Sequence, residues 1–135
     1  MIASDFSQFL ALWRQPGISI LKDDFLIARD VAIDLLRLDQ LHLAVSGNKW
    51  YKLKYNIKEA IQESAIGILS FGGAYSNHLH ALAYAGHRLG MPTIGVVRGE
   101  EVVNPTLEDC RKWGMQLHFV SRTVYRQRDE DSYQE

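Results

Sequence analysis

The sequence predicts an α/β fold in which helices pack against a mostly parallel sheet. Short apolar runs alternate with helical patterns between residues 66 and 120, and a glycine-rich turn leads from the first run into an alanine-rich helix. A strand, a helix and a second strand within this length form a βαβ unit, whose crossover is nearly always right-handed. Since 135 residues suit one domain with a buried core, we expect a single domain over residues 1–135.

The first part of the chain gives a weaker pattern. An amphipathic helix is expected over residues 5–13, with Ser4 as its cap and Pro16-Gly17 at its end. Two extended segments follow, a short one over residues 25–28 and a stronger one over residues 31–36.

A second helix is predicted over residues 49–64, because apolar residues recur there at helical spacing with lysines and glutamates between them. Either Ser46 or Asn48 could cap its start.

The remaining elements follow at regular spacing. Strands are predicted over residues 66–71, 93–97 and 117–120, and helices over residues 76–89 and 105–113. Gly90 closes the first of these helices, whereas Pro105 lies near the start of the second and Gly114 follows its end. From Ser121 the sequence begins a charged helix, which is either a solvated tail or an element cut short.

The composition excludes several classes of protein. A hydrophobic fraction of 47% and a charged fraction of 23% are typical of a soluble globular domain. The net charge of −1, with both signs interspersed, gives no electrostatic basis for binding nucleic acid or an anionic membrane. One cysteine leaves no intrachain disulfide, and neither a signal peptide nor a membrane-spanning run is visible, so we expect a cytoplasmic protein.

The first candidate for chemistry is Lys49, which stands at a loop-to-helix junction. Gly47 permits a sharp turn, Asn48 offers a small polar side chain and Trp50 a large apolar one. Burial against such neighbours favours the neutral amine, the nucleophile that imine formation needs. Lys52 could hold a phosphate or favour neutral Lys49 by repulsion. A solvated surface lysine is the alternative, and this cluster alone does not decide between them.

The second candidate is the turn over residues 72–78, which follows an apolar run. Gly72 and Gly73 allow close backbone approach, and Ser76 or Asn77 then begins a helix. Free N–H groups and the dipole at a helix start attract an anion such as a carboxylate. The alternative is a capped turn without a ligand. The phosphate-binding P-loop and the dinucleotide-binding glycine pattern are both absent from the sequence.

Other polar residues give weaker signals. The histidines at positions 78, 80 and 87 lack the spacing of a zinc site, so no metal is expected, and only His78 lies at a candidate site. Cys110 is expected to be a small core residue rather than a nucleophile. Three aromatic side chains are expected in the core: Trp13, Trp113 and Phe119.

Two segments together resemble a known family. They are Ser-Gly-Asn-Lys-Trp-Tyr-Lys-Leu-Lys-Tyr at residues 46–55 and Phe-Gly-Gly-Ala-Tyr-Ser-Asn-His at residues 71–78. In this order and at this separation, they are similar to the aminocyclopropane-carboxylate deaminase and D-cysteine desulfhydrase family. Residues 93–100 and 125–126 extend the resemblance, which covers most of the chain from about residue 36 onward.

The resemblance implies a tryptophan-synthase β-like fold (fold type II), with αβα layers around a parallel sheet, and pyridoxal phosphate as the cofactor. It implies that Lys49 forms the Schiff base with the cofactor and then carries the proton at the substrate carbon. Asn77 would lie beside the cofactor ring, and Asn48 and Lys52 would support the cofactor less directly.

On the substrate side, the resemblance implies that Ser76 binds the substrate carboxylate together with Asn77 and His78, and that Ser76 could take part in proton transfer. The expected reaction is deamination or elimination on a small amino acid, giving a 2-keto acid and ammonia. Tyr51 and Tyr75 stand where the family often has arginine and glutamine. Both positions line the proposed substrate side, so the substrate stays open.

The chain has less than half the usual length of the family. The family's later phosphate cup, its partner for the pyridine nitrogen and a downstream tyrosine have no counterpart here. We therefore expect the N-terminal portion of a pyridoxal-phosphate enzyme, apparently truncated, and the resemblance suggests a homodimer for full-length relatives. One alternative is a catalytically silent α/β fragment that associates with another chain. A further alternative is a small phosphate or nucleotide binder that uses the glycine-rich turn.

Overall fold

A computed structural model describes residues 2–45 and 47–127. In chain order its elements are α1 (Ile2–Leu10), β1 (Ile18–Leu21), α2 (Asp24–Ile27), β2 (Ile33–Leu36), a 3₁₀ turn (Leu38–Gln40), α3 (Lys49–Gln62), β3 (Ile68–Gly73), α4 (Asn77–Leu89), β4 (Thr93–Arg98), α5 (Pro105–Lys112), β5 (Gln116–Val120) and α6 (Arg122–Arg126).

The central sheet contains β3, β4 and β5, side by side in that order and all parallel. At its carboxyl edge Gly73 pairs with Arg98, and Arg98 pairs with Val120. The predicted α/β fold with a parallel sheet is therefore confirmed. From α3 to β5, each predicted element lies within two residues of the observed bounds.

The sheet lies between two layers of helices. Ser70 of β3 bonds to His78 of α4, whereas the next residue, Phe71, contacts Tyr125 of α6 edge-on at 6.0 Å between ring centroids. Since neighbouring strand residues point to opposite faces, α4 and α6 lie on opposite sides of the sheet. Helices α1, α3 and α5 pack with α4, which makes the layers αβα.

The core lies between the sheet and the α4 layer. Helix α4 contributes its alanine-rich face, together with Leu79 and Leu82, both almost fully buried. Gly86 lets α4 approach the start of β4, because a Cβ there would lie 2.7 Å from the carbonyl oxygen of Met91. Cys110 is fully buried, and burial raises the pKa of its thiol to about 11, so its expected role in packing is confirmed.

The three aromatic residues expected in the core are half-buried and pack against its edge: Trp13, Trp113 and Phe119. Within the described part of the chain, every helix is too short or too polar to cross a membrane.

The N-terminal part differs from the prediction. Helix α1 runs from Ile2 to Leu10, so Ser4 lies inside it rather than capping it. Short turn bonds follow, including one from the Trp13 N–H to the Leu10 carbonyl oxygen, and they take Trp13 out of the helix.

The prediction of an extended segment at residues 25–28 was wrong. Asp23 accepts a hydrogen bond from the Phe25 N–H at 2.9 Å and starts the short helix α2 instead. Strand β1 was not predicted. It pairs antiparallel with β2, which was predicted over residues 31–36, and Ile18 lies opposite Leu36.

Candidate active site

Lys49 is the first residue of α3, and its side chain is half-buried. Next to it, Trp50 is buried and stacks on Trp13 with 4.0 Å between ring centroids, while Phe9 packs edge-on against both rings. These aromatic rings fix the start of α3, so the backbone that carries Lys49 is held by the core.

Asn48 precedes α3 and holds the lysine amine. Its Oδ1 accepts a hydrogen bond from Lys49 Nζ at 3.1 Å. Asn48 occupies the capping position but makes no side-chain capping bond, so the prediction that it could cap the helix was wrong. The other proposed cap, Ser46, lies outside the described residues. Asn48 therefore orients an amine rather than satisfying a helix N–H group.

The glycine-rich turn joins β3 to α4 and is capped as the sequence predicts. Ser76 Oγ accepts a hydrogen bond from the Leu79 N–H at 3.2 Å, and the Ser76 N–H donates to the Gly73 carbonyl oxygen at 3.0 Å. A Cβ on Gly72 would lie 2.5 Å from Ser76 Oγ, so only glycine lets the serine fold back over the strand. Asn77 is exposed at the first position of α4, beside the N–H groups that a helix start leaves unpaired.

His78 connects the two motifs. Its Nε2 lies 2.8 Å from Ser70 Oγ, which holds the ring against β3 at the start of α4. Burial lowers the pKa of His78 below 6.5, and the charges of Lys49 and Lys52 lower it further. The lysines at the start of α3 are therefore near enough to act on a side chain at the start of α4. Lys52 itself is exposed, one turn after Lys49.

Two residues that hold this site were not predicted. Asn104 is buried at the start of α5, where its Oδ1 accepts from the Leu107 N–H and its Nδ2 donates to the Ala74 carbonyl oxygen at 3.1 Å. It thereby fixes the middle of the glycine-rich turn. The pair Asn104-Pro105 is typical of a helix start, so the cap was predictable from the sequence although its bond to Ala74 was not.

His80 holds the segment that precedes Lys49. Its Nδ1 lies 3.1 Å from the Ala44 carbonyl oxygen and its Nε2 lies 3.2 Å from Asp109 Oδ2. The ring therefore contacts a backbone carbonyl of the preceding loop through one nitrogen and a carboxylate of α5 through the other. His80 thus joins α4, α5 and the loop before α3. No local pattern could have indicated a contact between residues so far apart in sequence.

The two tyrosines that depart from the family pattern are exposed. Tyr75 is 76% exposed and Tyr51 is 41% exposed, so both rings are available to a ligand or a partner. Among residues 2–45 and 47–127, no three His, Cys, Asp or Glu side chains are grouped as a metal ion requires.

Known proteins with similar sequences carry names as deaminases, several of them provisional. No family model matches the chain. A Thermotoga maritima protein that carries a provisional name as a 1-aminocyclopropane-1-carboxylate deaminase is 37% identical over 95 residues, which are 70% of this chain and 30% of that protein. A 1-aminocyclopropane-1-carboxylate deaminase from a Bradyrhizobium species is 39% identical over 54 residues, which are 40% of this chain and 16% of the enzyme.

Two solved structures share the fold. The crystal structure of a 1-aminocyclopropane-1-carboxylate deaminase homologue superposes with a TM-score of 0.71 at 23% identity, over 88% of this chain and 37% of the other. A hydrogen sulfide-producing enzyme from Fusobacterium nucleatum superposes with a TM-score of 0.66 at 16% identity, over 90% of this chain and 36% of that enzyme. These likenesses confirm the predicted fold type II architecture.

The chain spans about a third, or less, of the length of the relatives that it matches. The motifs at residues 46–55 and 71–78, the sequence relatives and the shared fold agree with one another. Over the part that it spans, this chain is therefore similar in sequence and in fold to the 1-aminocyclopropane-1-carboxylate deaminase family, and the resemblance that the motifs indicated is confirmed.

Proposed function

We propose that this chain is the N-terminal portion of a pyridoxal-phosphate-dependent deaminase or lyase that converts a small amino acid to a 2-keto acid and ammonia. One observation carries the proposal most strongly. The ring of His78, held at the start of α4 by Ser70, lies within electrostatic reach of Lys49 and Lys52 at the start of α3. This coupling supports our assignment of the lysine amine and the start of α4 to one site.

The residues at this site fit pyridoxal phosphate. The half-buried amine of Lys49 suits the cofactor's aldehyde carbon, and its hydrogen bond to Asn48 Oδ1 holds it in one direction. Lys52, exposed on the next turn, suits the phosphate group. Asn77, exposed at the first position of α4, would lie beside the cofactor ring. When bound, the cofactor supplies an electron sink that stabilises negative charge on the substrate carbon.

The substrate carboxylate suits the start of α4. Ser76, Asn77 and His78 present side-chain donors and N–H groups there, in a helix of 13 residues. Such a helix start contributes roughly 0.3–1 kcal/mol to binding an anion when exposed, and about 2 kcal/mol when partly buried. This is enough to orient a carboxylate, and the rest of the affinity must come from other contacts.

Side chains of this chain would carry out the proton transfer. In its neutral form the Lys49 amine can take a proton from the substrate carbon, and Ser76 Oγ could carry a proton beside it. The lowered pKa of His78 keeps the imidazole neutral at pH 7, so the ring adds no third positive charge beside the two lysines. We assign Lys49 and Ser76 as catalytic residues and His78 as a substrate-binding residue.

The relatives' names favour two reactions. Ring opening of aminocyclopropane carboxylate consumes water and gives 2-oxobutanoate and ammonia. Elimination from a sulfur amino acid such as D-cysteine consumes water and gives pyruvate, hydrogen sulfide and ammonia. Tyr51 and Tyr75, both exposed, are the positions that we expect to select between these substrates.

The second candidate is a catalytically silent fragment that associates with another chain, including a second copy of itself. The observation that favours it is the exposure of large apolar side chains on the β1–β2 hairpin and around it: Ile18, Ile20, Phe25, Ile27 and Leu36. Surfaces of this kind mark interfaces. A fragment would stay folded and self-associated but would not bind the cofactor.

Titration with pyridoxal phosphate tests the proposal. The full chain, Lys49→Ala and Lys58→Ala are each titrated while visible absorbance is recorded; Lys58 is an exposed lysine on the same helix and serves as the matched control. We expect a coloured adduct with the full chain and with Lys58→Ala, and none with Lys49→Ala. Colourless mixtures in all three would favour the silent fragment. Phosphate affinity that survives both Lys49→Ala and Arg98→Gln without colour would favour a phosphate binder that uses the glycine-rich turn.

A further inference from the structure

We propose a second anion site, for a phosphate group, on the α6 face of the sheet, formed by Arg98, Arg122 and Arg126. These arginines and Tyr125 line a cavity of about 230 Å³. The site is separate from the proposed cofactor site, which lies on the α4 face, and it does not depend on Lys49.

The sheet register brings the three arginines together. Arg98 is the last residue of β4 and pairs with Val120, the last residue of β5. Arg122 follows Val120 by two residues, and Arg126 lies one turn later on the same side of α6. The Gly99 N–H donates to the Val120 carbonyl oxygen at 2.8 Å, which holds the ends of the two strands together.

An aromatic side chain orients Arg98 towards the cavity. Its guanidinium lies 5.7 Å from the ring centroid of Tyr125, and the same ring meets Phe71 edge-on. Phe71 and Arg98 come from neighbouring strands and point to the same face. The guanidinium is therefore placed by contacts with the sheet and with α6 rather than by chance on an exposed loop.

The charges around this cavity are unbalanced. None of the described residues that line it is acidic. Elsewhere Arg37 pairs with Asp39 and Arg111 pairs with Glu101, whereas the three arginines of the cavity have no carboxylate partner among residues 2–45 and 47–127. The whole chain has a net charge of −1, so this concentration of positive charge is local.

A phosphate group fits these features best. Guanidinium groups bind phosphate oxygens through paired hydrogen bonds. The positive charge of three arginines also matches a phosphate dianion better than it matches the single negative charge of a carboxylate. The site also lies at the carboxyl edge of a parallel sheet, where ligands of open α/β folds bind. A larger cavity adjoins it and shares Arg122, with room for the organic part of a phosphate ester.

Calorimetric titration of the full chain with inorganic phosphate tests the site, with glycerol 3-phosphate and acetate as comparison ligands. We expect phosphate to bind, acetate to bind more weakly, and Arg98→Gln or Arg122→Gln to weaken phosphate binding about tenfold or more. Arg98→Lys keeps the positive charge but cannot form the paired hydrogen bonds of a guanidinium, so it should give an intermediate loss of phosphate affinity. Tighter binding of the ester than of inorganic phosphate would assign the site to an organic phosphate.

Two control variants should leave phosphate binding unchanged. Arg88→Gln removes an exposed arginine at the far end of α4, and Lys58→Ala removes an exposed lysine of α3. Glu100→Gln should tighten binding, because Glu100 lines the adjoining cavity. Thermal unfolding of each variant checks that it is folded.

Three results would overturn the proposal. The first is no phosphate binding by the full chain. The second is an equal loss in Arg88→Gln, which would show general charge attraction only. The third is phosphate binding that appears only when Asp129, Glu130 and Asp131 are changed to amides. That result would show that the acidic segment of the chain itself, and not a phosphate group, binds to the three arginines.

Discussion

The βαβ region, residues 66–120, and the hairpin segment, residues 18–36, use similar apolar residues in different ways. In the βαβ region Leu82, Val97 and Leu107 are at most 1% exposed. In the hairpin segment Ile20 is 66% exposed and Phe25 is 60% exposed. The difference lies in what covers each sheet, because helices α1, α3, α4 and α5 form a core with one face of the parallel sheet whereas a two-stranded hairpin buries little by itself.

This comparison places the stable core and the proposed catalytic site in one region, and the exposed apolar surface in the other. The proposed catalytic site is fixed by the core of the βαβ region and by the aromatic rings around Trp50. The hairpin segment adds apolar surface that another chain or segment could cover. Substitutions in the two regions should therefore differ sharply in their effect on folding.

The largest effect is expected in the core of the βαβ region. Leu79→Ala should lower the free energy of unfolding by about 2–5 kcal/mol, because it leaves a cavity between α4 and the sheet. Urea unfolding followed by circular dichroism measures this. A loss below about 1 kcal/mol would mean that α4 is not packed against the sheet as described.

A smaller effect is expected at the start of α5. Asn104→Ala removes both the helix cap and the bond to the Ala74 carbonyl oxygen, and should cost about 1–2 kcal/mol in unfolding free energy. Asn56→Ala is the matched control, because Asn56 is exposed on α3 and bonds only to the carbonyl oxygen of its own helix. Equal losses in the two variants would contradict the role given to Asn104.

The sequence predicted the βαβ region well because its signals are local. Ser76 and Pro105 mark helix starts, Gly90 marks a helix end, and short apolar runs mark buried strands. The predicted bounds from α3 to β5 therefore lie within two residues of the observed ones. Lys49, Ser76, Asn77 and His78 were predicted as site residues from their motifs, and their roles stay a prediction.

The remainder depends on contacts between distant residues. The bonds from His80 to Ala44 and Asp109, and from Asn104 to Ala74, join segments separated by 29–36 residues. In the hairpin segment, the Asp23 cap turned a predicted strand into the helix α2, and β1 was identifiable only through its pairing with β2. Such pairings have no signature in a single local window.

The pH dependence of folding should identify the environment of His78. Burial, Lys49 and Lys52 hold its pKa below 6.5, so below pH 6.5 the unfolded chain binds more protons at this residue than the folded chain. The folded state consequently loses stability as the pH falls from 6.5 through the lowered pKa.

His78→Gln removes this contribution and should lose less unfolding free energy than the unmodified chain between about pH 7.5 and about pH 5.5. His87→Gln, which changes an exposed residue on the same helix, should behave like the unmodified chain. If His78→Gln and the unmodified chain lose stability equally, the ring is not in the environment described.

The smallest effect is expected in the hairpin segment. Ile20→Ser should change the unfolding free energy by less than about 0.5 kcal/mol, since the side chain is already in solvent. It should also reduce self-association in analytical ultracentrifugation if this surface is an interface. A loss above about 2 kcal/mol would show that the hairpin is buried in solution and would remove the contrast between the two regions.

The most direct test of the central claim is borohydride reduction of the full chain with pyridoxal phosphate, followed by peptide mapping. If Lys49 is the amine that the fold holds for the cofactor aldehyde, the phosphopyridoxyl group should be found at Lys49 well before it is found at Lys54 or Lys58. Equal labelling of all three lysines would contradict the account.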